Sequence, residues 1–337
     1  MENFTLYNAK INEKIVNKRK GEAKFGEAIQ IPNVLLDVKD NVIETKAQFI
    51  LFGIEESIGV FLNYGKTGTE HTWKPVLKNL LNTQCNQFNQ ADNVMVLGSF
   101  NYKFLQNEIN ILKKTTTKNI KKARGFIDQV DADVAYLVNI IVKAGKVPIA
   151  IGGGHNNSYG LIKGSALALN QKVNAINLDA HTDFRPEEGR HSGNGFSYAF
   201  AEGFLKRYFI FGLHENYTSD QLFKRLKKIK NVNYNTFEDL EIRKTKSFKS
   251  EINTAVEFIS HSKYGIEIDC DAIAGIPSSA GTSTGFSSNK ARQFLHVVSK
   301  PNKVCYLHIC EAIVTKKDHT KTAKFISYLI TDFLRNF

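Results

Sequence analysis

The sequence predicts an α/β fold with a mainly parallel central sheet, on three observations. Short apolar runs alternate with helix-like stretches from about residue 48 to the C-terminus. Several of those runs are continuously apolar, as strands covered on both faces tend to be. No internal repeat or low-complexity linker divides the chain, and 337 residues with 42% hydrophobic content can bury a large core. In order, the expected strands are 48–52, 93–97, 147–151, 173–178, 208–212, 264–268 and 304–309.

The helices between them follow from spacing. Over 118–144, Ile120, Phe126, Ile127, Val130, Val134, Leu137, Ile140 and Ile141 recur at near-helical intervals, and Gly145 stands where a C-terminal cap belongs. Residues 158–169 and 321–334 read as further helices, the second with Phe325, Ile326, Leu329, Ile330 and Phe333 along one side. Residues 1–45 mix Asn, Lys and Glu into short apolar pieces. They are set apart as an N-terminal extension, either wrapped on the domain or part of an oligomer contact, and 46–337 as the catalytic domain.

Composition narrows the function classes. The first residues, MENFTLYNAKINEK, are polar where a secretory signal needs an apolar stretch, and no apolar run approaches the ~18 residues of a membrane span. Cys85, Cys270, Cys305 and Cys310 form no CxxC pair, which fits reduced thiols and a cytoplasmic location. The net charge is +12, but its lysines are scattered and lack interleaved aromatics or any nucleic-acid-reading motif. Neither a nucleic acid nor a membrane is an expected partner. Such a basic surface suits the gathering of an anionic small substrate.

The polar residues sit where the strands end. The strand at 147–151 runs into GGGHNNSYG, 173–178 into DAHTDFRP, 264–268 into DCDAIAG, and 304–309 into Cys310-Glu311. In parallel α/β folds those ends face one crevice, so residues far apart in sequence converge there. A two-residue period turns Asp179, His181 and Asp183 to one side, and Asp269 with Asp271 likewise. With His155, placed after three glycines, the inventory is two imidazoles and four carboxylates. Taken alone, GGGH is also a common Gly-rich turn and DCD a common helix cap; the joint occurrence favours a metal site.

Four carboxylates buried together repel unless cations neutralise them, and two divalent ions supply the charge. A structural zinc site would favour Cys and His; carboxylate-rich sites suit Mn²⁺ or Mg²⁺, and the imidazoles favour Mn²⁺. Paired ions hold a water and lower its pKa toward neutrality, which implies hydrolysis.

These motifs resemble those of the ureohydrolase superfamily: arginase, agmatinase, guanidinobutyrase and formimidoylglutamase. GGGH at 152–155, DAHTD at 179–183, DCD at 269–271 and Glu311 stand in the family's order, and the resemblance covers about residues 48–335. The GxxGT segment at 65–69 is a weaker match. The resemblance implies an arginase-like three-layer α/β/α sandwich and two Mn²⁺ ions per chain. One would be held by His155, Asp179, Asp183 and Asp269, the other by Asp179, His181, Asp269 and Asp271, with Asp179 and Asp269 bridging. It also implies that Asp183 moves a proton to the leaving amine and that Glu311 pairs with the cationic guanidinium or formimino group. Homo-oligomers are expected only by analogy with relatives.

The substrate is the open question. Arginases carry an Asn two residues past DAHTD, then SGN and a proton-transferring histidine; here those positions hold Arg185, Ser192-Gly193-Asn194 and Phe196, with His191 out of register. The missing histidine argues against an ordinary arginase. GGGH and an Arg in DAHxDxR resemble formimidoylglutamases, although Asn156 stands where those carry glutamate. Arg185 suits a substrate carboxylate, or alternatively a salt bridge with Glu187 or Glu188. Arg185, Ser192, Asn194 and Glu311 are therefore the expected substrate contacts. The leading expectation is hydrolysis of N-formimidoyl-L-glutamate to L-glutamate and formamide, in histidine breakdown. The rivals are hydrolysis of L-arginine or another guanidino compound, and a catalytically silent metal-binding regulator.

Overall fold

The computed structural model describes residues 1–112, 116–315 and 319–337, so the Lys113-Lys114 and Lys316-Lys317 runs lie outside the described residues. Among those described, nine strands form one sheet: β1 (Phe4–Leu6), β2 (Phe49–Glu55), β3 (Val94–Asn101), β4 (Val147–Ile151), β5 (Val173–Leu178), β6 (Leu205–Leu213), β7 (Val232–Thr236), β8 (Tyr264–Asp269) and β9 (Val304–Cys310). Their order is β1-β3-β2-β4-β9-β8-β5-β6-β7. Every pairing is parallel except β1 with β3.

Two cores explain why the strand runs are continuously apolar. In β2, Phe49 and Leu51 enter one core while Ile50, Phe52 and Ile54 enter the other. The first core is closed by the helices Trp73–Leu81, Phe248–Ile259, Ser288–Val298 and His319–Leu334, the second by Thr117–Lys143 and Asn157–Leu169. The result is the three-layer α/β/α arrangement. Each fully buried Leu, Ile or Phe contributes roughly 1.5–3 kcal/mol of transfer free energy.

The Thr117–Lys143 helix buries Ile127, Val130, Val134, Leu137, Val138 and Ile141, and ends where Gly145 takes φ 75°. The Asn157–Leu169 helix has a different task. It leaves β4 and crosses over β9 and β8 to reach β5, pinned between the sheet and the longer helix. It is therefore buried around most of its circumference and shows no clean apolar stripe. Gly160 and Gly164 permit the close approach: a Cβ on either would lie 2.9 Å from Val134 Cβ or 2.5 Å from Ala135 O.

The strands without a sequence signal, β1 and β7, are the two edges. β1 has three residues, and β7 reads VNYNT, polar enough to pass for a loop. An edge strand has one neighbour, so its composition is less constrained. β1 also attaches residues 4–6 to the sheet, against Gly98–Phe100 of β3. No helix among the described residues is long and apolar enough to cross a membrane.

Candidate metal centre

The four strands that end in His or carboxylate groups, β4, β9, β8 and β5, are consecutive neighbours in the middle of the sheet. Their C-terminal ends meet at a cavity of about 630 Å³ whose wall includes His181, Asp183, Asp269, Asp271 and Glu311. His155 leaves β4 through Gly152 and Gly153, both at positive φ; a Cβ on Gly153 would stand 2.5 Å from the Asn157 side chain. That turn brings the ring among the carboxylates. His155 Nδ1 lies 2.8 Å from Asp183 Oδ2, 2.9 Å from Asp269 Oδ2 and 3.3 Å from Asp179 Oδ2. One donor atom from each of these four buried residues lies within 4.8 Å of the others.

A second group adjoins the first through Asp179. Its Oδ1 is 3.6 Å from His181 Nδ1, and Asp271 Oδ2 is 3.7 Å from the same nitrogen. Local backbone bonds aim these side chains: Asp179 Oδ1 accepts from His181 N–H at 2.7 Å, and Asp269 Oδ1 from Asp271 N–H at 2.7 Å. The Asn177 amide donates to Asp179 Oδ2 at 2.8 Å. Alternate spacing thus does more than share a face, since each leading aspartate also fixes the backbone of the ligand candidate two residues on.

Burial raises Asp183, Asp269 and Asp271 above the usual carboxylate range, and the charge on Asp179 adds to each shift. Asp179 itself is lowered, because hydrogen bonds from His155 and His181 outweigh its burial. For His181, burial opposes the charged ring, but Asp179 prevails and lifts it to about 10. The cluster therefore demands positive charge, whether from protons or from cations. Imidazole and carboxylate oxygens at this density fit two hard or borderline divalent ions such as Mn²⁺. Cys270 turns into the apolar core instead.

Asp183 and Glu311 reach the cavity with backbones at φ 42° and 60°. Glu311 Oε1 accepts the His155 N–H at 2.6 Å, while its Oε2 is buried with no hydrogen-bond partner. Without cations in the cluster, burial, then Asp271, pushes Glu311 up to about 8, and bound cations would favour its charged form.

The residues expected at the substrate divide. Arg185 lines the cavity, and there its Nη2 pairs with Glu188 at 2.8 Å and its Nη1 donates to Asn63 at 3.1 Å. Ser192 lines it too, accepting from Asn63 Nδ2 at 3.1 Å. Asn194 does not reach it. Its Oδ1 accepts from Arg190 and from His191 N–H, and its side-chain amide donates to Gly189 O, so the buried side chain shapes the loop. Arg190 in turn makes a buried two-point pair with Asp131 at 2.9 and 3.0 Å. Phe196 packs edge-on against His155 at 5.1 Å and stacks on Tyr208 at 4.2 Å, away from the cavity.

Three contributors escaped the sequence reading. Lys66, within the GxxGT segment, lines the cavity, and its backbone N–H donates to Ser279 O at 3.1 Å. Asn63 links Arg185 to Ser192. Glu267 is a fully buried carboxylate in the middle of β8, two residues before Asp269 and beside His308 and His155. An acid flanked by Ile266 and Ile268 inside a strand run was the available signal.

The sequence pattern of the arginase family matches residues 81–335. A curated formimidoylglutamase of Streptococcus pyogenes serotype M3 is 26% identical over 323 residues, covering 91% of each chain. Among solved structures, formimidoylglutamase from Bacillus subtilis aligns with TM-score 0.73 at 17% identity, over 95% of this chain and 93% of that one. Trypanosoma cruzi formiminoglutamase with Mn²⁺ aligns with TM-score 0.68 at 17% identity, over 89% and 97%.

Proposed function

This chain belongs to the arginase family, as a hydrolase of C–N bonds, and we propose that it hydrolyses N-formimidoyl-L-glutamate to L-glutamate and formamide with two Mn²⁺ ions. The observation that carries the substrate is the pairing of charges in one cavity: an acidic cluster with Glu311 at its floor, and Arg185 and Lys66 on its wall. A substrate with a cationic formimino head and two carboxylates meets both. The curated relative named formimidoylglutamase supports the same substrate. On this reading the protein acts in histidine breakdown, in the cytoplasm.

His155, Asp179, Asp183 and Asp269 would hold one ion, and Asp179, His181, Asp269 and Asp271 the other. When bound, the ions supply Lewis acidity and bring the pKa of water near neutrality. Glu311 Oε2, lacking a partner of its own, accepts from the formimino N–H and holds the planar cation. Arg185 and Lys66 receive the carboxylates and fix the reacting carbon over the cluster. Water oxygen adds to that carbon, and Asp183 takes a water proton and passes it to the glutamate nitrogen as the C–N bond breaks. The second water proton, lost from the new hydroxyl as its oxygen becomes the formamide carbonyl, goes to the same nitrogen, so formamide and the protonated amine of glutamate leave.

The test offers Mn²⁺-loaded protein formimidoylglutamate, arginine, agmatine and guanidinobutyrate, scoring formamide against urea. Formamide from the first is expected. Urea from arginine without formamide release overturns the substrate, and tight Mn²⁺ binding without turnover of any of the four overturns the enzyme reading in favour of a silent regulator.

A further inference from the structure

Below the cavity, the central strands carry a polar chain that the proposed reaction does not use. Ile266 and Ile268 of β8 and Leu307 and Ile309 of β9 point into one core, so Glu267, Tyr306 and His308 alternate to the opposite face. Tyr306 O–H donates to Glu267 Oε1 at 2.8 Å, and His308 Nδ1 lies 2.7 Å from Glu267 Oε2. The Tyr306 ring reaches across β8 only because residue 265 is glycine; a Cβ there would lie 1.9 Å from Tyr306 Cζ. Glu267, Tyr306, His308 and His155 are all fully buried.

His155 joins this chain from above. Its Nδ1 is turned to Asp179, Asp183 and Asp269, whereas its Nε2 has no hydrogen-bond partner and lies 3.5 Å from Glu267 Oε2. A buried carboxylate is costly unless its charge is used. Two donors hold Glu267 in place, and the remaining neighbour is the free edge of a ligand candidate.

We infer that Glu267 is a positioning residue for His155: it accepts the Nε2 proton, fixing the tautomer that leaves the Nδ1 lone pair for a cation. Tyr306 and His308 hold the carboxylate against rotation. This role rests on the two-ion reading above. Cys310 also lies within reach, so that His155, Glu267, His308 and Cys310 form a compact donor set. His308 Nδ1 is engaged with Glu267 Oε2 at 2.7 Å and its Nε2 with Gly152 O at 3.3 Å, so neither nitrogen is free for a third metal, which favours the hydrogen-bonded role.

The experiment is Mn²⁺ titration of metal-free wild type, Glu267→Gln, Tyr306→Phe and Cys310→Ser, read by the free-ion electron paramagnetic resonance signal and by elemental analysis. Glutamine keeps the volume but offers one acceptor to two donors, and its amide opposes the Nε2 proton. One of the two Mn²⁺ equivalents should weaken about 10–100-fold, the other staying within about threefold by the same reasoning. Activity should return at saturating Mn²⁺ with KM unchanged. Tyr306→Phe, which deletes one oxygen, should weaken the same equivalent by less, and carries the test if Glu267→Gln does not fold. Wild-type affinity in both variants, or equal weakening of both equivalents, overturns the role. So does a third, Zn²⁺-selective equivalent lost in both Glu267→Gln and Cys310→Ser. A wild-type chain that binds no Mn²⁺ overturns the two-ion reading and this role with it.

Discussion

Asp183, after β5, and Glu311, after β9, both hold left-handed backbone and both line the cavity. Such conformations cost a non-glycine residue about 1–3 kcal/mol and persist where surrounding bonds fix them. Here Glu311 N–H donates to Gly153 O, and Ser279 N–H to Glu311 O, each at 3.1 Å. The backbone therefore aims the Glu311 carboxylate, and a conservative change to that side chain should leave the fold intact.

Glu311→Gln removes the charge that meets the formimino cation while retaining the hydrogen bond to His155 N–H. Hydrogen bonds to charged groups contribute roughly 1.5–3 kcal/mol, so kcat/KM should fall about tenfold to a hundredfold. Steady-state formamide release, with Mn²⁺ content measured alongside, checks it; unchanged kcat/KM would remove Glu311 from the substrate.

Arg185 has two occupations, the cavity and Glu188, and mutation separates them. The ion pair is about half exposed on both sides, and such pairs contribute little. Glu188→Gln should therefore leave KM for formimidoylglutamate nearly unchanged, whereas Arg185→Met should raise it about tenfold or more. Lys66→Met should act in the same direction. If the Arg185 and Glu188 variants behave alike, the arginine serves the loop and not the substrate.

Loading the cluster with Mn²⁺ should release protons, because burial and mutual repulsion hold Asp183, Asp269 and Asp271 above their usual range in the metal-free chain. Affinity should then fall as pH falls. Calorimetric titration in buffers of differing ionisation enthalpy counts the protons. Asp269→Ala, which strips both proposed sites of one oxygen donor group, should lose metal pairing and activity together.

His191 sets an acid limb of stability. Its Nδ1 accepts Gly193 N–H at 3.1 Å and its Nε2 faces Glu188 at 3.2 Å, an arrangement that needs the neutral ring. Burial, with Arg185 nearby, holds it down to about 4 from the ordinary 6.5. Between those values the unfolded chain binds more protons, so stability should decline as pH falls through that window, by up to about 3 kcal/mol. Urea midpoints at several pH values should show a shallower decline in His191→Asn than in wild type; parallel curves would count against this.

Arg190 offers a structural contrast. Its pair with Asp131 is buried on both sides, and removing one member of such a pair costs about 3–5 kcal/mol. Arg190→Met should lower the urea midpoint far more than Arg185→Met, although only Arg185 touches the cavity.

The strand runs from 48 to 309, the long helix closed at Gly145 and all six metal-ligand candidates could be read from the chain alone, because burial on both sheet faces imposes continuous apolarity and extended segments impose a two-residue period. Its weakness lay in edges and in neighbours. β1 and β7 escaped because an edge strand tolerates polar residues. Asn194 and Ser192 look alike in SGN, yet only a folded loop turns one to Arg190 and the other to the cavity. The chain also does not print the strand order that sets β4, β9, β8 and β5 side by side. That order arises when the helix after β4 crosses to β5 and leaves a gap that β8 and β9 later fill. Only then does Glu267, an acid set between two isoleucines of β8, come to lie under His155.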